Sequence, residues 1–264
     1  MQDKLAIAPE MRAEIENRLA RLASEEGVRL LMAVESGSRA WGFPSPDSDY
    51  DVRLFYLRPR RDHLSLAPLR DVIERPIVDE IDLSGWDIRK ALGLMLRHNA
   101  VVSEWLTSPI RYMADHPVVA RMGDLVDRHF DPRGYARHYA NLGRGTVARW
   151  FDEEGGISVK RYFYALRPAL SIRALRLDPS RRPPMQLQAL VGVCELDATL
   201  VEEIDRLIEL KALTNEAGNT VRLPAIERLI AEELGQAETV PERRSDVSFA
   251  EAADRLFLEL VEEP

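Results

Sequence analysis

The chain has a single cysteine, Cys194, which excludes an internal disulfide and any zinc site built from several thiolates. That residue lies in the apolar stretch LQALVGVCEL, where the expected state is a buried structural thiol. Long hydrophobic runs are missing too: no segment approaches the roughly 20 apolar residues that span a bilayer. The first residues, MQDKLAIAPEMRAEIE, have acids where a secretory signal would be apolar, so the chain reads as cytoplasmic with no membrane partner. Its histidines, His63, His98, His116, His129 and His138, show no metal-ligand spacing such as His-x-x-x-His. There is no Gly-x-Ser-x-Gly, no Walker sequence and no dinucleotide fingerprint, so zinc, serine-hydrolase and P-loop chemistry find no support.

What is present is a globular composition, 45% hydrophobic and 30% charged, in a length of 264 residues that can bury a full core. The net charge of −8 conceals a segregated distribution. Residues 1–132 carry 18 basic and 22 acidic side chains, residues 133–182 carry 11 and 4, and residues 183–264 carry 7 and 18. The middle segment is therefore a candidate surface for a nucleic-acid backbone, with a solvated helix face as the plain alternative.

Periodicity divides the chain. Met11, Ile15, Leu19 and Leu22 recur at helical spacing from Pro9 until Gly27 stops the helix. Val28–Val34 and Asp51–Leu57 read as strands, and Ile77–Leu83 alternates apolar with acidic residues, which puts Asp82 on the face opposite Ile81 and Leu83. From Trp86 onward the period is helical, interrupted by prolines, with DPSRRPP at 178–184 as the clearest loop. The expected fold is α+β: a small β-sheet core with flanking helices, residues 1–130, followed by an all-α C-terminal domain, residues 131–264.

The stretch GSRAWGFPSPDSDYD, residues 37–51, joins the first strand to the second. Gly37 permits a tight turn after the strand, and Ser38 can open a short helix whose N–H groups and hydroxyl suit an anion. Asp49 and Asp51, at alternate positions of a strand, bring together two carboxylates that repel unless a cation compensates them. Hard oxygen ligands of this kind suit Mg²⁺, which takes one or two carboxylates together with substrate phosphates. Arg39 is placed to reach a phosphate or to pair with a surface acid such as Asp47. Trp41 and Phe43 read as packing that anchors the loop. On the later helix SVKRYFYALRPALSIRAL, Lys160, Tyr164 and Arg167 fall at i, i+4 and i+7 and form a basic, hydrogen-bonding stripe. Arg137, Asn141 and Arg144 form a second stripe of the same spacing.

Gly-Ser, then Asp-x-Asp on the next strand, then an acid on a later strand resembles the polymerase-beta-type nucleotidyltransferase pattern. ESGSRAWGF, SDYDVR, SGWDIRKAL, SEWLTSP and KRYFYALRP, taken together in order, are similar to the branch of small nucleotidyltransferases linked to RNA repair. The resemblance implies a small mixed-sheet nucleotidyltransferase core that moves a nucleotide from an NTP to an acceptor hydroxyl with release of pyrophosphate. It implies Mg²⁺, with Mn²⁺ as a substitute, held by Asp49, Asp51 and a third carboxylate. Asp82 is assigned that third place because it lies eight residues before Lys90, the spacing of the strand acid in related sequences. Asp87, in SGWD, and Glu80 stay open as rivals, Asp87 with helix capping as its plain role. Gly37, Ser38, Arg39, Lys160, Tyr164 and Arg167 are the implied nucleotide-binding residues. An RNA end is the expected acceptor, with the 133–182 segment as its surface. Adenylylation of a protein or small molecule, and a non-catalytic nucleotide- or partner-binding module, are the alternatives.

Overall fold

The structure, a computed structural model, describes residues 7–150, 157–213, 219–220, 222–243 and 247–263. The chain forms two compact units, Met1–Ala40 with Asp49–His129 and Ser245–Pro264, and Trp41–Ser48 with Phe130–Arg244.

The first unit opens with α1 (Pro9–Glu26), which buries Ile15, Leu19 and Leu22 and ends at Gly27 in the left-handed conformation, where the Gly27 N–H donates to the Ala23 carbonyl. Strand β1 (Arg29–Ser36) leads into the short helix α2 (Gly37–Trp41), and β2 (Tyr50–Leu57) returns antiparallel to β1. After a single helical turn, α3 (Arg60–His63), come β3 (Val72–Glu74) and β4 (Ile81–Asp87). The sheet order is β1-β2-β4-β3, with β2 and β4 parallel and the other pairs antiparallel, so the sheet is mixed. Helices α4 (Ile88–Met95), α5 (Ala100–Leu106) and α6 (Pro117–Arg128) follow, and α12 (Val247–Glu262) completes the unit.

Each sheet face has its own core. Ala33, Val52, Leu54, Tyr56, Ile73, Ile81 and Leu83 cluster with α1 and with Ile110 and Tyr112. On the other face Phe55, Trp86 and Trp105 form an aromatic stack, with Trp86 and Trp105 centroids 4.0 Å apart. The strict alternation of buried and part-buried residues along β4 leaves Asp82 opposite Ile81 and Leu83, as its sequence pattern requires.

The third strand begins later than the sequence pattern suggests. Asp79 and Glu80 both take positive φ, 52° and 62°, and turn the chain, so β4 runs from Ile81 through Ser84-Gly85-Trp86 and the next helix starts only at Ile88.

The second unit comprises α7 (Pro132–Val147), α8 (Val159–Leu177), α9 (Leu187–Val193), α10 (Ala198–Leu213) and α11 (Pro224–Gly235). A two-residue pairing of β5 (Ile157–Ser158) with β6 (Asn219–Thr220) is its one strand pairing among the described residues. Its charge segregation is resolved internally. Arg137 of α7 makes a two-pronged pair with Glu238 at 2.8 and 2.7 Å, and Arg173 and Arg176 of α8 converge on the buried Glu233. Arg144 donates to the Leu234 carbonyl at 2.9 Å. Two members of the second basic stripe read from the sequence, Arg137 and Arg144, are thus bonded within the unit, while Asn141 is exposed. Residues 151–156 of the basic segment lie outside the described residues.

Cys194 is fully buried, its thiol donates to the Leu170 carbonyl at 3.3 Å, and burial pushes its pKa up to about 12. Among the described residues no helix is long and apolar enough to cross a membrane.

Candidate active site

The chain leaves β1 through Gly37, whose φ of 71° is left-handed. A Cβ there would stand 1.9 Å from Asp51 Oδ2, so the glycine is required twice, for its backbone angle and for the carboxylate lying against its Cα. Ser38 is buried at the start of α2, and the Arg39 guanidinium stacks 4.0 Å from the centroid of the Tyr50 ring.

The parallel register of β2 and β4 pairs Asp51 with Asp82. Side chains at paired positions of neighbouring strands share a face, so the two carboxylates stand side by side. The same guanidinium nitrogen, Arg53 Nη2, donates to Asp51 Oδ1 at 3.0 Å and to Asp82 Oδ2 at 2.6 Å. Arg53 Nη1 also holds the Asp82 carbonyl at 2.8 Å. The two acids remain 24% and 29% exposed, so a ligand can reach them from solvent.

Of the other acids, Asp49 sits one residue before β2 and is half-buried. Glu80 is exposed in the left-handed turn, and its carbonyl accepts from the Tyr50 N–H at 2.7 Å. Asp87 caps α4, accepting from the Arg89 N–H at 2.8 Å. Burial raises its pKa, while the backbone hydrogen bond and the nearby His63, Arg58 and Arg89 oppose the rise. Glu80 thus sits in the turn before β4 with its backbone bonded to Tyr50, and the Asp87 carboxylate caps a helix.

In the second unit Lys160 and Tyr164 line a cavity of about 300 Å³ with Thr146, Arg149 and Arg161. Arg167, the third member of the stripe, is buried: its guanidinium lies 4.2 Å from the centroid of the Trp41 ring and donates to the Met185 carbonyl at 3.2 Å. The i, i+7 spacing is right for one face, but Trp41 covers that end of it. Trp41 and Phe43 are packing residues, with Phe43 stacked on Phe163 at 4.2 Å and Trp41 edge-on to Tyr164 at 5.3 Å. The same loop is tied down by Gln188, which donates to the Gly42 carbonyl at 2.7 Å, and by the buried Lys211, which donates to Ser45 Oγ at 3.1 Å.

Residues 11–259 match the RNA repair pathway DNA polymerase beta family. The chain belongs to this family. It is a nucleotidyltransferase of polymerase-beta type. It is similar over nearly its whole length to the uncharacterized protein YcgL of Bacillus subtilis (strain 168), 35% identical over 255 residues that cover 96% of this chain and 97% of the other. A nucleotidyltransferase-like protein from Exiguobacterium sibiricum 255-15, known from a crystal structure, aligns over 93% of this chain and 79% of its own at 11% identity. The TM-score of that alignment is 0.32, too low to bear on the site.

Two residues beside the Asp51–Asp82 pair escape sequence reasoning. Arg53, within the run read as β2, bridges the acids. Glu35 closes β1 on the core face and is fully buried. Its Oε1 accepts from the Asp51 N–H at 3.0 Å, and the Tyr112 hydroxyl donates to Oε2. Ser108 of the SEWLTSP motif donates to the Glu35 carbonyl at 2.6 Å. Burial, with a smaller contribution from Asp51, pushes the Glu35 carboxyl up to about 8. The one available signal was an acid ending an otherwise apolar strand.

The donor set fits a divalent cation in kind. Asp51 and Asp82 offer hard oxygens that already converge on one positive centre, the Arg53 guanidinium. Among the described residues no group of three His, Cys, Asp or Glu side chains is assembled for a metal.

Proposed function

We propose that the enzyme transfers a nucleotide from an NTP to the hydroxyl of an RNA end, releasing pyrophosphate, with Asp51 and Asp82 as the principal metal-holding carboxylates and Asp49 as the third. The observation that carries this reading is the in-register pair of Asp51 and Asp82 around a single cation, with Asp51 packed against Gly37. A divalent ion, Mg²⁺ or Mn²⁺, supplies charge neutralisation on the triphosphate and favours the alkoxide of the acceptor. The chain's own residues do the rest. Gly37 keeps the backbone beside Asp51 bare, Ser38 offers a hydroxyl, and Arg53 holds both carboxylates on one face. Arg39, fixed on Tyr50, contributes positive potential. Glu35 fixes the backbone of Asp51 from the core side. Lys160 and Tyr164, with Arg149 and Arg161, form a basic cavity suited to phosphates, while Arg167 holds Trp41 rather than substrate.

The RNA acceptor is supported by the family and by the cations around Lys160. Much of the remaining basic segment is engaged within its own unit. Incubation with labelled NTPs, Mg²⁺ and RNAs of varied ends is expected to give extended RNA and pyrophosphate, and Asp51→Asn and Asp82→Asn are expected to give none. Labelling of a protein or small molecule in place of RNA would overturn the acceptor. Tight NTP binding with no transfer to any acceptor would overturn the activity.

A further inference from the structure

A second polar cavity, of about 270 Å³, lies within the first unit at the opposite end of the parallel strands. Asp87 and Arg58 line it. Asp87 pairs in register with Tyr56, five positions along each strand from the Asp51–Asp82 pair. At about 3.3 Å per residue the two sites stand about 17 Å apart.

The charges around this cavity are unevenly satisfied. Its acids have partners already: Asp87 caps α4, Asp71 takes Lys90 Nζ at 3.2 Å on both oxygens, and Asp62 lies 3.5 Å from Arg61. The cations are less well served. Arg97 is exposed, and Arg89 meets the Phe257 ring at 5.2 Å and the His63 carbonyl at 3.3 Å, neither of which cancels its charge. Arg58 reaches its nearest carboxylate, Glu26, at 3.9 Å. Among the described residues, Arg58 Nε and His63 Nε2 are buried and have no hydrogen-bond partner. A buried donor without an acceptor costs about 1–3 kcal/mol, so such atoms mark a place where an acceptor belongs. Guanidinium groups with spare donors, in a lining of five Arg and Lys side chains against three Asp, suit a compact anion with several oxygens. Pro68 and Leu69 give the cavity an apolar edge for the rest of the ligand.

We infer that this cavity is a second anion site that takes a phosphate monoester, separate from the Asp51–Asp82 pair and independent of the transfer reaction proposed there. The phosphate comes from a free mononucleotide or from the 5′ end of a nucleic-acid strand, two sources with the same chemistry.

The test uses the full chain carrying Asp51→Asn and Asp82→Asn, without divalent cation, so that failure of the proposed transfer reaction leaves it intact. AMP, a 5′-phosphorylated single-stranded RNA and the same RNA with a 5′-hydroxyl are titrated calorimetrically. The phosphorylated ligand is expected to bind, with the 5′-hydroxyl RNA at least about tenfold weaker. Arg58→Gln and Arg97→Glu are each expected to weaken the phosphate ligand by at least about tenfold, and a change at the exposed Arg206 of the other unit, Arg206→Gln, to leave it unchanged. Arg97 is exposed, so its reversal tests the site even if Arg58→Gln unfolds the chain. Equal affinity of AMP and phosphorylated RNA assigns a mononucleotide, and tighter RNA assigns a strand end. No binding, equal binding of the two RNAs, or indifference to Arg97→Glu would overturn the site.

Discussion

The Asp51 carboxylate occupies the place that a side chain on residue 37 would need, with Oδ2 lying 1.9 Å from the position of a Cβ on Gly37. Gly37→Ala must therefore displace the carboxylate and adopt a left-handed φ, a strain of about 1–3 kcal/mol. A reacting group misplaced by about 1 Å loses on the order of 10²-fold in rate. The expected outcome is a fall in nucleotidyl transfer of at least that size with a modest loss of melting temperature, read by single-turnover kinetics and calorimetry.

Asp82 and Asp87 lie on the same strand and should separate cleanly. Asp82→Asn removes an oxygen that faces Asp51 across the parallel pair, and transfer should fall by about 10²-fold or more. Asp87→Ala removes a helix cap, at about 0.5–2 kcal/mol of stability. Its transfer rate, measured well below its melting temperature, should stay near that of the parent.

Glu35 gives a dependence on pH. Its folded carboxyl is raised to about 8 from an ordinary value of 4.5. Between those values the folded chain binds a proton that the unfolded chain releases, so stability falls as pH rises through this window. Its contribution is fully present below 4.5 and lost above about 8. Glu35→Gln keeps an acceptor for the Asp51 N–H and cannot ionise. Denaturant titrations should show a flatter pH profile for the variant between pH 5 and 8 than for the parent.

Lys160 and Tyr164 should act on substrate, and Arg167 on the fold. Lys160→Ala is expected to raise the KM for NTP by about 10-fold or more, the loss of one charge-assisted hydrogen bond. Arg167→Ala uncovers Trp41 and is expected to lower the melting temperature. A KM unchanged by Lys160→Ala would remove that cavity from the nucleotide site.

The sequence made some of this legible because the signals are local. The period of α1, the glycine after β1 and the alternation around Asp82 lie within a few residues of one another. What stayed hidden depends on distance along the chain. Nothing near Glu35 announces Tyr112, 77 residues later, and nothing near Arg137 announces Glu238, 101 residues later. Strand β3 is three residues long, too short for a period to show. The turn at Asp79-Glu80 forms without glycine or proline at those two positions, so it reads as more strand. Arg53 was hidden for another reason: alternation says which face a residue takes, but not which charges wait there.

The chain passes between its two units at residues 40/41, 48/49, 129/130 and 244/245. Neither unit is therefore a portable cassette. A gene cut at residue 130 would strip the first unit of α12, with Phe249, Leu256 and Leu260 in its core. It would strip the second of Phe43, stacked on Phe163, and of Ser45, held by Lys211. Recombination could not trade the helical unit for another while keeping the segment between Ser38 and Asp49 whole.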